Sequence, residues 1–259
     1  MHVIKSFCSA FLMYSRIPMP QVEWREENRR YALCFFPLIG FIIGILFLLW
    51  YRICDRFGVD TLLFATGSVA IPLFVTGGIH LDGFCDVKDA LACGGTREHQ
   101  IAVMSDSHIG AFAAIHLAVY LLLLTGVFSQ VKEFDVAVVC ALSFVQSRAW
   151  SALAAVTFKN AKSEGALMNF SKPAHKKITV VAEVLFLAVT AAIMLRQDRV
   201  SGCFGILGGV FSFLYYRIFS YKKFGGITGD LAGYFLQICE LVIITFVVLG
   251  RLFFGGVFG

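Results

Sequence analysis

The sequence predicts an all-α protein, one polytopic membrane domain over residues 1–259 with about seven spanning helices and a site carried by the segments between them. Three observations lead there. Hydrophobic residues fill 58% of the 259 positions and charged residues only 15%, where an ordinary soluble domain is about a quarter charged. Seven stretches stay apolar for about 20 residues, the helix length that crosses a bilayer's hydrocarbon core. Lysine and arginine fall unequally on alternate sides of those stretches, as the positive-inside rule expects.

Residues 1–15 read as a short amphipathic helix lying on the membrane surface. Tyr14, Ser15 and Arg16 interrupt the apolar run and no small-residue cleavage site follows, so it is not read as a signal peptide. Spans are expected at residues 31–51, 61–79, 109–129, 134–157, 178–195, 200–220 and 231–250. Pro37 and Pro72 fall inside the first two, where membrane helices tolerate them. Gly40 and Gly44 have the spacing that lets helices approach closely, a weak signal in a chain with 24 glycines. The eight cysteines are scattered without a CxxC pair, which argues against a zinc site or a disulfide framework and for reduced thiols.

Residues 1–30, 80–108, 158–177 and 217–230 hold 15 of the 22 Lys and Arg, and the opposite set holds six. The first set is expected on the cytoplasmic side of the cell membrane, with the amino terminus inside and the carboxyl terminus outside. The net charge of +5 follows from this distribution and does not call for a nucleic-acid partner.

The chemistry-bearing residues gather on that same side. Asp82, Asp86 and Asp89 stand at i, i+4 and i+7, a spacing that stacks three carboxylates along one helix face. The bland reading is an acidic helix start, favoured by the helix dipole. Mutual repulsion, the flanking Gly77, Gly78 and Gly83, and the neighbouring His80 favour a divalent cation such as Mg²⁺, which prefers carboxylate oxygens. Asp106 is either a further ligand or a helix cap. The loop from Lys159 to Lys177 carries five lysines, mostly accounted for by topology, some of which could hold phosphate. Gly225, Gly226, Thr228 and Asp230 enter the last span through a glycine-rich turn, which can present backbone N–H groups to phosphate. Arg148 and Glu240 lie inside spans at a similar depth of ~15 Å. Intramembrane charges are usually paired or functional, so an ion pair is expected first and a polar cavity lining second. An acidic metal face where membrane meets water suits an enzyme acting on a phosphorylated, membrane-associated substrate.

The motifs Ser15-Arg16-Ile17-Pro18-Met19-Pro20, Phe36-Pro37-Leu38-Ile39-Gly40, Thr76-Gly77-Gly78-Ile79-His80-Leu81-Asp82-Gly83 with Asp86 and Asp89, Met104-Ser105-Asp106-Ser107, Gly110, Ser147-Arg148, Glu164-Gly165 and Gly225-Gly226-Ile227-Thr228-Gly229-Asp230 with Glu240 together resemble the cobalamin synthase family, adenosylcobinamide-GDP ribazoletransferase. They run in the family's order from about residue 9 to residue 241. His108 and Ala90 depart from it, standing where Arg and Gly are usual. The resemblance implies a Mg²⁺-dependent transferase that joins adenosylcobinamide-GDP and α-ribazole, or its 5′-phosphate, with release of GMP, as monomer or oligomer in the lipid bilayer. It implies Asp82, Asp86 and Asp106 as metal ligands, Asp89 or His80 as proton acceptor with Asp89 preferred, and Gly77, Gly78, Gly83, Arg148, Gly225, Gly226, Thr228, Asp230 and Glu240 as substrate contacts. Two other classes fit less well. A CDP-alcohol phosphotransferase needs an Ala-Arg pair and two further aspartates, and Asp86-Val87 breaks that pattern. A transporter would use the intramembrane charges, but no paired repeat is present.

Overall fold

The computed structural model describes residues 2–106, 108–162 and 164–255. Ser107, one residue of the motifs above, lies outside them. Helices succeed one another along the chain: α1 (His2–Tyr14), α2 (Glu26–Arg29), a 3-10 turn (Ala32–Phe35), α3 (Phe36–Phe57), α4 (Thr61–Thr76), α5 (Ile79–Cys93), α6 (Arg97–Val103), α7 (Ala111–Phe128), α8 (Phe134–Thr157), α9 (Ala166–Ser171), α10 (Lys176–Gln197), α11 (Arg199–Phe224) and α12 (Gly229–Phe254). Among the described residues the extended pairing is a single parallel bridge between Asn160 and Ile227.

Six helices, α3, α7, α8, α10, α11 and α12, are long and apolar enough to cross a membrane, and α4 with α5 passes the same test only as a pair bent by 98°. α4 is the more apolar arm of that pair. It has 16 residues, about 24 Å at ~1.5 Å per residue. Its first residue, Thr61, accepts a hydrogen bond from Lys132 Nζ at 2.8 Å, and near its other end the Val75 carbonyl accepts from Arg16 N at 2.8 Å. The expected span to residue 79 is therefore cut short. Gly77 and Gly78 both adopt left-handed φ, 67° and 78°, a conformation glycine reaches without steric cost. They end α4 and turn α5 across the end of the bundle.

The two ends match the charge sets read from the sequence. At one, Tyr51 Oη donates to the Lys132 carbonyl and Arg251 pairs with Glu133 and Asp198. At the other, His175 N donates to the Arg30 carbonyl, Ala161 N to that of Ile227, and Lys162 stands beside Asp230.

α8 and α12 form the centre, with Val139, Cys140, Phe144, Ala149, Phe235, Leu236, Cys239 and Ile243 buried. Around them α3, α7, α10 and α11 expose apolar side chains such as Phe41, Ile45, Leu122, Val181, Leu185, Phe211 and Leu214, the surface expected against lipid tails. A Cβ on Gly40 would collide with the Phe144 carbonyl, and one on Gly44 would lie 2.8 Å from that of Ala141. The Gly40–Gly44 spacing therefore does close the α3–α8 crossing, since van der Waals packing between small residues draws membrane helices together. α1 buries Ser6, Ala10 and Phe11 against the bundle and leaves Val3 and Ile4 exposed, the two-faced character expected of it. One acid escapes the sequence reading: Glu183 in α10 is fully buried, with neither oxygen hydrogen-bonded among the described residues.

Candidate active site

The site forms where α5 crosses the start of α12. A Cβ on Gly83 would stand 2.7 Å from the Asp230 carbonyl oxygen, so only glycine allows the approach. This contact brings Asp82 and Asp86 of α5 to Asp230 of α12, although the two helices are far apart in sequence. The crowding has an electrostatic consequence. Burial pushes the Asp86 carboxyl up to about 7, Asp82, Asp230 and Asp89 add to the rise, and only Lys162 opposes it. Lys162 Nζ lies 3.8 Å from Asp230 Oδ2 and donates to Ser105 Oγ at 2.9 Å. It therefore ties the loop after α8 to the loop after α6.

A groove of about 700 Å³ runs along this face, lined by Arg16, Gly77, Gly78, Asp82, Asp86, Asp106 and His108 among others. Asp106 is exposed. It accepts from His108 N at 3.0 Å and meets His108 Nδ1 at 2.7 Å, and these bonds hold its carboxyl below the usual range. The departure at His108 thus falls on a residue that contacts a candidate ligand. A second, more enclosed cavity of about 260 Å³ lies on the other side of Asp82, with His80, Gly83, Gly229 and Asp230 in its wall. The His80 ring sits 6.2 Å from that of Tyr14 and 5.7 Å from that of Phe36, and its Nε2 is buried without a partner among the described residues.

Several expected site residues take other places. Asp89 does not share the groove with Asp82 and Asp86. Its oxygens accept from the N–H groups of Gly110 and Ala113 and so fasten α5 to the start of α7. A carboxylate held by two backbone donors is poorly placed to collect a proton from substrate. Gly225 and Gly226 do not offer free N–H groups to phosphate. Gly225 N donates to the Tyr221 carbonyl and Gly226 N to that of Ser220, closing α11. Gly226, at φ 157°, also packs too tightly on the chain at 159–161 to admit a Cβ. Thr228 caps α12, accepting from Leu231 N at 3.2 Å.

Arg148 and Glu240 form the expected ion pair, Nη1 to Oε1 at 2.6 Å, with side chains 1% and 2% exposed. Ser147 Oγ also donates to Glu240, and Arg148 donates to the Phe144 carbonyl at 2.9 Å. Neither charge lines the groove or the enclosed cavity, so the geometry assigns them to the interior rather than to substrate contact.

Among the described residues no three His, Cys, Asp or Glu side chains stand close enough to hold a metal ion between them. The donor set still suits Mg²⁺, which takes oxygen ligands, keeps several waters and is commonly held by one or two carboxylates plus substrate phosphates. The crowded Asp86 is where a cation would relieve most repulsion. Two residues of this face were not singled out from the sequence. Lys162 was one of five loop lysines with a topological explanation. Arg16 had only its place in a motif as a signal.

A family model described as cobalamin-5-phosphate synthase matches residues 6–248. A protein named adenosylcobinamide-GDP ribazoletransferase from Lachnoclostridium phytofermentans is 42% identical over 92% of this chain and 91% of its own length. Proteins of the same name from Treponema denticola and Clostridium perfringens strain SM101 are 32% and 30% identical, covering 93% and 88% of this chain and 96% and 91% of their own. No solved structure matches. A match of this extent, on a chain whose motifs already pointed the same way, places it: the chain belongs to the cobalamin-5-phosphate synthase family.

Proposed function

We propose that this protein joins adenosylcobinamide-GDP to α-ribazole, or to α-ribazole 5′-phosphate, giving adenosylcobalamin or its 5′-phosphate and GMP, with Mg²⁺, at the cytoplasmic face of the cell membrane. The observation that carries the reading is the convergence of Asp82, Asp86, Asp230 and Lys162 at the lysine- and arginine-rich end of a membrane bundle. The family relation supplies the substrates. It gives no support to a phospholipid synthase or a transporter.

In the transfer, a ribose hydroxyl oxygen bonds to the phosphorus nearer the cobinamide, the bond from that phosphorus to the bridging oxygen breaks, and GMP leaves. Such reactions depend on positioning and on neutralising charge more than on covalent help. Asp82 and Asp86 would hold the cation together with substrate phosphate, and Asp106 lines the same groove. When bound, it would neutralise diphosphate charge and favour departure of GMP. Lys162, which already bridges Asp230 and Ser105, would meet a phosphate as a point charge. Asp230 lines the enclosed cavity beside Asp82, and we assign it the hydroxyl proton in place of Asp89. Incubating the purified protein with both substrates and Mg²⁺ tests the reading. GMP and a cobalamin product should appear together, and neither appearing would refute it.

A further inference from the structure

The enclosed cavity shares Met13, Ile79 and Asp82 with the groove, and the rest of its wall is its own. We infer that it is the pocket for the aromatic base of the attacking nucleoside, an inference that rests on the proposed reaction. At about 260 Å³ it falls short of the roughly 300–1,000 Å³ that drug-sized ligands occupy. A corrinoid or a whole nucleotide does not fit, while a bicyclic heteroaromatic ring does.

The chemistry of the wall selects among bicyclic rings. Leu33, Phe36, Ala152, Ala155 and Leu167 line it, and polar groups on its inner part are few, chiefly the Tyr14 and Ser151 hydroxyls and the His80 ring. Guanine carries several donors and acceptors that such a wall would leave unpaired, and each buried polar group without a partner weakens binding. A dimethylated benzimidazole attached to ribose has one free ring nitrogen and two methyl groups, which an apolar slot accommodates. Two aromatic rings of the wall, Tyr14 and Phe36, stand 4.6 Å apart between centroids and could flank it. The mouth then fixes orientation. Asp82 lines both the cavity and the groove, so a base seated inside would deliver its ribose to the carboxylates that face the groove. The larger groove is left for the diphosphate of the other substrate.

Ala155→Phe, which fills the slot from α8, and Leu167→Ala, which enlarges it from α9, test the assignment. Neither residue takes part in the proposed chemistry. In Ala155→Phe the KM for α-ribazole should rise about tenfold or more, the range that a misfit of a methyl or two commands, while the KM for adenosylcobinamide-GDP stays within about twofold. The loss should be smaller with the riboside of unmethylated benzimidazole. Leu167→Ala should shift preference toward the dimethylated base's bulkier analogues. Equilibrium binding of α-ribazole to the purified protein, measured without turnover, should show the same loss in Ala155→Phe. Wild-type GMP release tests the reaction and this binding measurement tests the pocket, so the two can fail separately. A rise confined to adenosylcobinamide-GDP would overturn the assignment and give the cavity to guanine. Unchanged nucleoside binding in Ala155→Phe, or unchanged base preference in Leu167→Ala, would also overturn it.

Discussion

Arg148 Nη1 stands 2.6 Å from Glu240 Oε1 in the middle of the bundle, joining α8 to α12, with both side chains almost wholly buried. Ser147 and the Phe144 carbonyl add to the pair's hydrogen bonds. Arg148 also lies 5.9 Å from the Phe36 ring, which in turn neighbours His80 and Tyr14. The pair thus supports the floor of the site from below.

Removing one partner of this pair should therefore destabilise the protein strongly. Breaking a buried pair leaves an uncompensated charge at a cost of roughly 3–5 kcal/mol. Arg148→Met or Glu240→Leu alone should lower the thermal midpoint in detergent, and the double variant should recover most of the loss. A double variant as unstable as the sum of the singles would show that the two charges act separately.

Asp86 is crowded by Asp82, Asp230 and Asp89, and Lys162 is the cation that opposes them among the described residues. Asp86→Asn removes a repelled charge. It should raise thermal stability without divalent cation while abolishing turnover, and added Mg²⁺ should stabilise the variant less than the wild type. A destabilised Asp86→Asn protein would contradict the crowding.

Asp89 and Asp82 should respond differently to the same change. Asp89 acts as an acceptor for the Gly110 and Ala113 N–H groups, and an asparagine oxygen can keep one of those bonds. Asp89→Asn should retain activity within about tenfold, whereas a general base typically contributes about 10²–10⁴-fold. Loss of turnover as complete as in Asp82→Asn would restore Asp89 to the proton-transfer role.

Gly226→Val should act on structure rather than on one substrate. The side chain would collide with the backbone at 159–161 and strain the Asn160–Ile227 bridge. That bridge positions Lys162. Stability should fall and both substrates should be affected. A selective rise in the KM for adenosylcobinamide-GDP at full stability would instead favour a phosphate contact at Gly226.

The bundle and the sorting of its connecting segments to two ends were legible because hydropathy and basic asymmetry are properties of long segments. The Arg148–Glu240 pair was legible from depth alone. What escaped depends on local backbone and distant contacts. Helical periodicity put Asp82, Asp86 and Asp89 on one face, but it is silent on which neighbour each meets, and α7 claims Asp89 through a contact 21 residues away. A glycine-rich turn reads the same whether its N–H groups are free or, as at Gly225 and Gly226, spent in closing the preceding helix. Lys162 was masked by four other lysines in its loop. Glu183, an acid in an apolar span, carried a signal that the reading passed over.

Brought together by the Gly83 contact, Asp82, Asp86 and Asp230 should act as one cation-dependent transfer site. GMP release from adenosylcobinamide-GDP and α-ribazole, measured on the purified protein with Mg²⁺ and after chelation, tests it most directly. The wild type should release one GMP per cobalamin formed and fall silent on chelation. Asp82→Asn should be silent in both, and Asp230→Asn should lose kcat with little change in either KM. Undiminished GMP release by Asp82→Asn, or by the wild type after chelation, would contradict the account.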